Sequence, residues 1–346
     1  MDGIDRLWYA RDPLARSARV ALAPFGLAWR GAMSLRNALY DRGLLPVQAA
    51  PLPAAAVGNL AVGGAGKTPV AAWLAGMLLD RGARPAVVLR GYGDDEPRVH
   101  ALLNPGAMVV VDADRTRGMH RARAAGCDVA LLDDAFQHRR AGRMEDVVLV
   151  SADRWHEDRR PLPAGPWRES LTALRRASLL LVTRKAVAST VAAELLARLK
   201  GMTPGGAGCC VALQIAGLHT VTGERAASLD TLRNRRVLAI SGIADPAAFR
   251  AQLAAVGARV EAAAFGDHYR FGPSDAQRLA ARAEAADLAV CTLKDAVKLR
   301  ELWPREARPL WYVSLRCEAE PDDGAVDALI DRLLAARHQP TPGPTG

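Results

Sequence analysis

From residue 54 onward the chain alternates short unbroken apolar runs with longer stretches whose apolar positions recur every three or four residues. The runs at 54–57, 85–89, 108–111, 129–132, 147–150 and 179–182 read as buried strands, and 69–80, 115–125 and 187–200 as helices. After a glycine-rich break at 205–208 the alternation resumes. Strand runs follow at 210–215, 237–240, 260–264, 288–291 and 310–313, with helical stretches near 246–256, 274–286, 294–303 and 324–336. Such alternation predicts an α/β fold built on a doubly wound, mostly parallel sheet. The expected organisation is two α/β units, a larger one over 46–205 and a smaller one over 206–337.

The first 45 residues lack this pattern. Past Pro24, Phe25, Trp29, Ala32, Met33, Leu39 and Tyr40 share one helical face, opposite Arg30, Ser34, Asn37 and Asp41. Arg36 falls inside the apolar face, from which it can snorkel toward a phosphate-rich surface. With Arg6, Arg11, Arg16, Arg19, Trp8 and Trp29, the segment suits an amphipathic helix lying on an anionic membrane. A helix packed on its own domain fits the spacing equally well. The Pro/Gly/Thr-rich tail, 338–346, is expected to be disordered.

Composition narrows the partners. A net charge of +9 over 346 residues calls for an anionic one. Aromatic residues make up only 5%, and no aromatic-plus-basic cluster forms a base-stacking platform, so nucleic acid is not expected. Nothing implies a protein partner. Five cysteines without a Cys-x-x-Cys pair read as reduced thiols, not a metal site. Neither a secretory signal nor an apolar span of transmembrane length is apparent, and a cytoplasmic location is expected. Lysine occurs only at 67, 185, 200, 294 and 298 in an arginine-rich chain. A lysine here marks a place that needs a compact ammonium, which singles out Lys67 and then Lys294 and Lys298.

The central candidate is Val57-Gly-Asn-Leu-Ala-Val-Gly-Gly-Ala-Gly-Lys-Thr68, set between a strand and a helix. Gly63, Gly64, Ala65 and Gly66 form a turn whose backbone amides can approach an anion, and the following helix adds its positive end. Lys67 can reach the β- and γ-phosphates, and the Thr68 hydroxyl can take a Mg²⁺ position. The pattern is a loose phosphate-binding loop, with Ala61 where the strict form has glycine.

Other candidates sit at predicted strand ends. Asp133 and Asp134 close one strand, where carboxylates can hold Mg²⁺ or cap a helix. Gln137, His138, Arg139 and Arg140 follow at the same edge. In Arg90-Gly-Tyr-Gly-Asp-Asp-Glu-Pro97, a loose turn is expected to project Asp94, Asp95 and Glu96, one of which can take a hydroxyl proton. His268, between Asp267 and Tyr269, is a second proton acceptor. Arg168 and Glu169 end a rigid Pro/Gly turn. Thr292-Leu-Lys-Asp-Ala-Val-Lys298 has the wrong order for a guanine reader.

As an ordered set these stretches resemble the tetraacyldisaccharide 4′-kinase family, the lipid A 4′-kinases of Gram-negative bacteria. The matching pieces are Gly63-Gly-x-Gly-Lys-Thr-Pro69, Arg90-Gly-Tyr-Gly93, Asp95-Glu-Pro97, Asp133-Asp-Ala-Phe-Gln-His138, Leu162-Pro-Ala-Gly165 with Arg168-Glu169, Asp267-His268 and Lys294-Asp-Ala-Val-Lys298. The resemblance implies ATP-dependent, Mg²⁺-assisted transfer to the 4′-hydroxyl of a lipid A disaccharide 1-phosphate. It also implies work at the cytoplasmic face of the inner membrane and a cleft between two α/β/α domains. Lys67 and Thr68 then serve phosphates and Mg²⁺; Asp133, Asp134 and Glu169 support the metal; Arg115 and Arg168 lie near phosphate; Asp95, helped by His268, receives the proton. The chain departs from the family in nearly fusing Gly93 to the Asp95 piece, and in Ala135 and Leu293, where Gly and Glu are usual. The alternative expectation is a P-loop ATPase switch that acts through partner binding.

Overall fold

The computed structural model describes residues 3–91, 93, 95–320 and 324–337; Asp94 and the expected disordered tail at 338–346 lie outside them. Two helices, α1 (Gly3–Tyr9) and α2 (Pro13–Asp41), lead into the sheet. The first half then runs β1 (Ala54–Asn59), α3 (Lys67–Asp80), β2 (Pro85–Leu89), α4 (Asp95–Leu103), β3 (Met108–Val111), α5 (Arg115–Ala124), β4 (Val129–Asp133), β5 (Glu145–Ser151), β6 (Leu179–Arg184) and α6 (Ser189–Lys200). The second half runs β7 (Gly208–Thr220), β8 (Ala226–Ala227), β9 (Arg236–Ser241), α7 (Pro246–Ala255), β10 (Arg259–Ala264), α8 (Pro273–Ala283), β11 (Leu288–Thr292), α9 (Leu293–Leu299), β12 (Leu310–Glu320) and α10 (Ala325–Ala336).

All strands join one sheet in the order β10-β9-β11-β12-β7-β6-β5-β1-β4-β2-β3, with β8 paired to β7. Every residue of β1, β2 and β4 is buried, as expected of parallel strands covered on both faces. The pivot is β7. Its first residues pair in parallel with β6, from Leu180↔Gly208 to Arg184↔Ala212, while its later ones pair antiparallel with β12, as in Val313↔Leu218. Since β9 and β11 run parallel to β12, the strands of the second half point back at those of the first. The carboxyl ends of the two sets therefore face each other, and in open α/β sheets those ends carry ligands.

Helices cover both faces. Val70, Leu74 and Leu78 of α3 pack over β1 and β4 together with Leu329, Ile330 and Leu333 of α10. The stretch 324–336, which the strand–helix count puts with the second unit, thus closes the core of the first, because its apolar stripe matches that of α3. Phe136, Leu174, Val182 and Leu195 fill the opposite face.

Two local expectations change. Asp95 and Glu96, expected in a loose turn, instead form the first turn of α4, a placement favoured by the helix dipole. Helix α2 begins well before Pro24, at Pro13, capped by the Asp12 carboxylate on the Ala15 amide at 3.0 Å, and continues through Pro24. It buries Ala15, Arg19 and Gly26. A Cβ on Gly26 would lie 3.2 Å from Pro161 Cγ, so glycine allows this close approach. Arg36 does not snorkel outward: its Nη2 donates to the Gln137 carbonyl at 2.9 Å and its guanidinium stacks on Tyr40.

Candidate active site

Between the opposed strand ends lies a cleft of about 1210 Å³. One wall is the phosphate loop. Gly66 ends it at φ +82°, and a Cβ there would stand 2.3 Å from Leu213 Cδ1, so the turn needs glycine on two counts. The loop is held from outside itself, by the Thr183 hydroxyl donating to the Ala65 carbonyl at 2.9 Å and by Lys185 Nζ donating to the Gly64 carbonyl at 2.8 Å. Lys67 and Thr68 form the first turn of α3, where free amides and the dipole favour an anion.

The end of β4 supplies the next groups. Asp134, at φ +48°, sits 3.7 Å from Lys67 Nζ and accepts from Arg168 Nη1 at 2.7 Å. Burial works against its charge, but Lys67 and Arg168 outweigh it and hold the carboxyl below its ordinary range. Asp133 is buried; its Oδ2 bonds His100 Nε2 at 3.0 Å, and its Oδ1 has no hydrogen-bond partner among the described residues. Arg115, also buried, donates to the Asp133 carbonyl at 3.3 Å and lines the cleft. Gln137 and His138 line it too. Glu169 is buried, and its oxygens accept from Arg176 at 3.0 and 3.1 Å and from Asn37, which ties it to α2.

The facing wall joins distant segments. Asp95 is 5% exposed, with its Oδ2 3.5 Å from His268 Nδ1 and 4.0 Å from Lys298 Nζ. Beside it, Lys294 Nζ donates to Glu96 Oε1 at 3.0 Å. Lys298 is held in turn by the fully buried Asp295, at 3.0 Å, which also accepts from the Thr292 hydroxyl and the Gly242 amide. Burial would raise the pKa of Asp95, yet the His268 bond and the charges of Lys294 and Lys298 bring it to about 2. The same bond to Asp95 is the main cause of a raised His268 pKa. Glu96, Asp267, His268 and Lys294 line the cleft, whereas Asp95 stands behind the imidazole. The pair expected from the sequence, Asp95 with His268, is thus brought together, since α4 starts at Asp95 and packs against α9.

Sequence patterns missed His100, which lies mid-helix with no flanking signal, and Lys185, although the scarcity of lysine could have flagged it. Asn37 was placed on the solvent face of its helix but faces Glu169.

Several known proteins share this architecture. The family model described as tetraacyldisaccharide-1-P 4′-kinase matches residues 18–106 and 94–335, two pieces that overlap where the loop before Asp95 is short. A tetraacyldisaccharide 4′-kinase of Anaeromyxobacter sp. (strain K) is 39% identical, covering 99% of either chain. One from Xanthomonas euvesicatoria pv. vesicatoria is 33% identical, covering 95% of this chain and 96% of its own. Among solved structures, LpxK from Aquifex aeolicus in complex with ATP superposes with a TM-score of 0.71 at 28% identity, covering 91% of this chain and 99% of its own.

Proposed function

The chain belongs to the tetraacyldisaccharide-1-P 4′-kinase family, and from that premise we propose how the two walls of its cleft divide the reaction. The activity is ATP-dependent phosphorylation of tetraacyldisaccharide 1-phosphate at its 4′-hydroxyl, a step of lipid A synthesis. The observation that carries the division of labour is the opposition of strand ends, which sets Lys67 and Thr68 across one cleft from His268.

On the phosphate wall, the loop amides and Lys67 bind the β- and γ-phosphates, and Arg168 and Arg115 are the next cations in reach. Asp133 and Thr68 fit Mg²⁺: a buried carboxylate oxygen without a partner beside a hydroxyl in the loop's first helical turn is a hard-oxygen donor set. Asp134 completes the acidic end of the strand. Among the described residues no group of three His, Cys, Asp or Glu could hold a metal alone, so water and phosphate oxygens supply the remaining positions. When bound, the ion offsets charge developing on the phosphate oxygens.

On the other wall, the acceptor hydroxyl lies against His268. As its oxygen bonds to the γ-phosphorus and the bond to the β-phosphate oxygen breaks, ADP leaves and the hydroxyl proton passes to the imidazole. Asp95, kept ionised, orients the ring and stabilises its positive charge. A phosphoryl transfer needs positioning more than a strong base, and the pair is built for that.

The N-terminal segment is the membrane contact in this reading. Among the described residues, nine of fifteen exposed large apolar side chains fall before residue 48, including Leu14, Val20, Phe25, Leu27 and Leu35. No helix among the described residues is long and apolar enough to cross a membrane. We place the chain peripherally on the anionic cytoplasmic face of the inner membrane, with the two halves of the sheet closing over the substrate's sugar. The test is transfer from labelled ATP with and without acylated disaccharide 1-phosphate. Label appearing on the lipid at the 4′ position is expected. Acceptor-independent hydrolysis with no labelled lipid would sink the assignment in favour of an ATPase switch.

A further inference from the structure

Four of the chain's five lysines gather at this cleft. Lys67, Lys185 and Lys294 line it, and Lys298 stands 4.0 Å from Asp95 behind it. Lys185 is the one with no part in the chemistry above, and it is among the most constrained. The turn after β6 is fixed by Asp153, whose carboxylate accepts from the amides of Lys185, Ala186 and Val187 at 2.7, 2.8 and 3.0 Å. The half-buried side chain then crosses to the phosphate loop, where Nζ donates to the Gly64 carbonyl at 2.8 Å. The same ammonium lies 3.5 Å from Asp245 Oδ2 in the second half of the chain. Asp245 spends its other oxygen capping α7 on the Ala248 amide at 3.2 Å, so its position is set by that helix and not by the lysine. From α7, Gln252 Nε2 reaches back to the Lys185 carbonyl at 3.3 Å. A Cβ added at Gly64 would meet Lys185 Nζ, Asp245 Cβ and Ala244 Cβ within 3.5 Å, which shows how closely the second half presses on the loop.

We propose that Lys185 is a positioning residue for phosphoryl transfer: one ammonium pins the phosphate loop at Gly64 and, through Asp245, ties that loop to the half of the protein carrying His268. Nucleotide seating and acceptor alignment are thereby coupled. Burial draws the Lys185 ammonium below its ordinary pKa, countered by Asp245 and Asp153, as expected of a charge kept inside for its contacts. Arginine, abundant elsewhere in the chain, is a poor substitute because its planar fork is too large for a site shared by a carbonyl and a carboxylate. The inference rests on the nucleotide reading of residues 63–68.

The experiment compares wild type, Lys185→Met, Asp245→Asn and the double variant in the full chain, reading the Kd of a non-hydrolysable ATP analogue, kcat, and the KM for the acylated acceptor. Lys185→Met removes both contacts and is expected to weaken nucleotide binding and lower kcat, each by about tenfold, the scale of losing a hydrogen bond from a charged donor. Asp245→Asn keeps the helix cap, since Asn caps as well as Asp, while removing the charge. It is expected to lower kcat severalfold with nucleotide Kd within about twofold of wild type, and the double variant to be no worse than Lys185→Met. The lipid KM should stay unchanged throughout. Nucleotide Kd and kcat within twofold of wild type in Lys185→Met, or independent multiplication of the two losses, would overturn the proposal. If Lys185→Met does not fold, as judged by its thermal melt, the Asp245→Asn split between kcat and Kd decides alone. A wild-type protein that fails to transfer label at all refutes the underlying assignment instead.

Discussion

The two walls of the cleft are made in opposite ways. The phosphate wall is a local object: residues 63–68 lie consecutively between β1 and α3, and its ligand groups are largely backbone amides and the first turn of one helix. The acceptor wall is assembled. Asp95 and Glu96 from α4 meet His268, Lys294 and Lys298, all more than 170 positions away, through ion pairs across the joint between α4 and α9. A local site keeps its geometry as long as the strand and helix around it stand. An assembled one exists only when the two halves of the sheet are in register, so its chemistry doubles as a report of closure.

Substitutions separate the walls most sharply at Lys67. Lys67→Ala is expected to reduce transfer by about 10²–10³ or more, as for removal of one preorganised group facing developing charge. Radiolabel transfer measures it, and wild-type-like turnover would take the loop out of the mechanism. Next come Asp95→Asn and His268→Ala, each expected to lower kcat by about 10²–10⁴, the usual reach of general acid–base catalysis, with nucleotide Kd unchanged. Their double variant should be little worse than the poorer single one, because members of one unit are not additive. The pH profile gives a finer test. In the proposed mechanism the neutral ring accepts the proton, and Asp95 raises its pKa above the ordinary imidazole range, so kcat/KM should fall as pH drops through that raised pKa. In Asp95→Asn the residual activity should lose that limb to lower pH, since the Asp95 bond is the main cause of the shift. A limb that stays put would separate His268 from Asp95.

How much of this was legible in the chain follows the same division. Local periodicity located the strands, and Gly-Lys-Thr located the phosphate wall, since those patterns are caused by neighbours in sequence. The long extension of β7 and β12 was not visible, because the residues past 215 are paired with strands remote in the chain. The reversal of direction at β7 went unseen with it, and that reversal is what points the strand ends at each other. Asp95 and Glu96 read as part of a projecting loose turn because their countercharges, Lys294 and Lys298, are remote; with them they form the start of a helix. The partners of Glu169 were equally out of view, Arg176 being seven residues on and Asn37 in a segment set apart from the sheet.

A milder cut across the assembled wall is Lys294→Met. The pair with Glu96 is partly exposed, at 25% and 22%, so its loss should fall between the cost of surface and buried ion pairs. Burial opposes the Lys294 charge, and Glu96 and Asp95 more than restore it, leaving its pKa raised. About a tenfold loss in kcat/KM for the acceptor is expected, ~1.4 kcal/mol, with nucleotide Kd unaltered. Weakened nucleotide binding instead would show that the two walls are not separable at α9.

The smallest expected effect on turnover comes from the segment proposed to meet the membrane, and it tests whether α2 belongs to either wall. One side of α2 is tied to the site: Trp29 Nε1 donates to the Arg168 carbonyl at 3.0 Å, Arg36 to the Gln137 carbonyl, and Asn37 to Glu169. Phe25 and Leu27, on different sides of the same helix, are 64% and 67% exposed. Serine at both positions removes apolar area that is mostly exposed, so folding and nucleotide affinity should hold. Binding to vesicles of anionic phospholipid should fall by about tenfold or more, since each such side chain contributes up to ~1.5–3 kcal/mol when fully removed from water. Transfer to a detergent-dispersed acceptor should stay within about twofold, because detergent supplies the substrate without a membrane surface. Asn37→Ala should do the reverse, lowering kcat through loosened Glu169 and Arg168 while vesicle binding persists. If the serine variant sediments with vesicles as wild type does, α2 is only a packing element. If it loses turnover in detergent as well, the exposed face is part of the acceptor site itself.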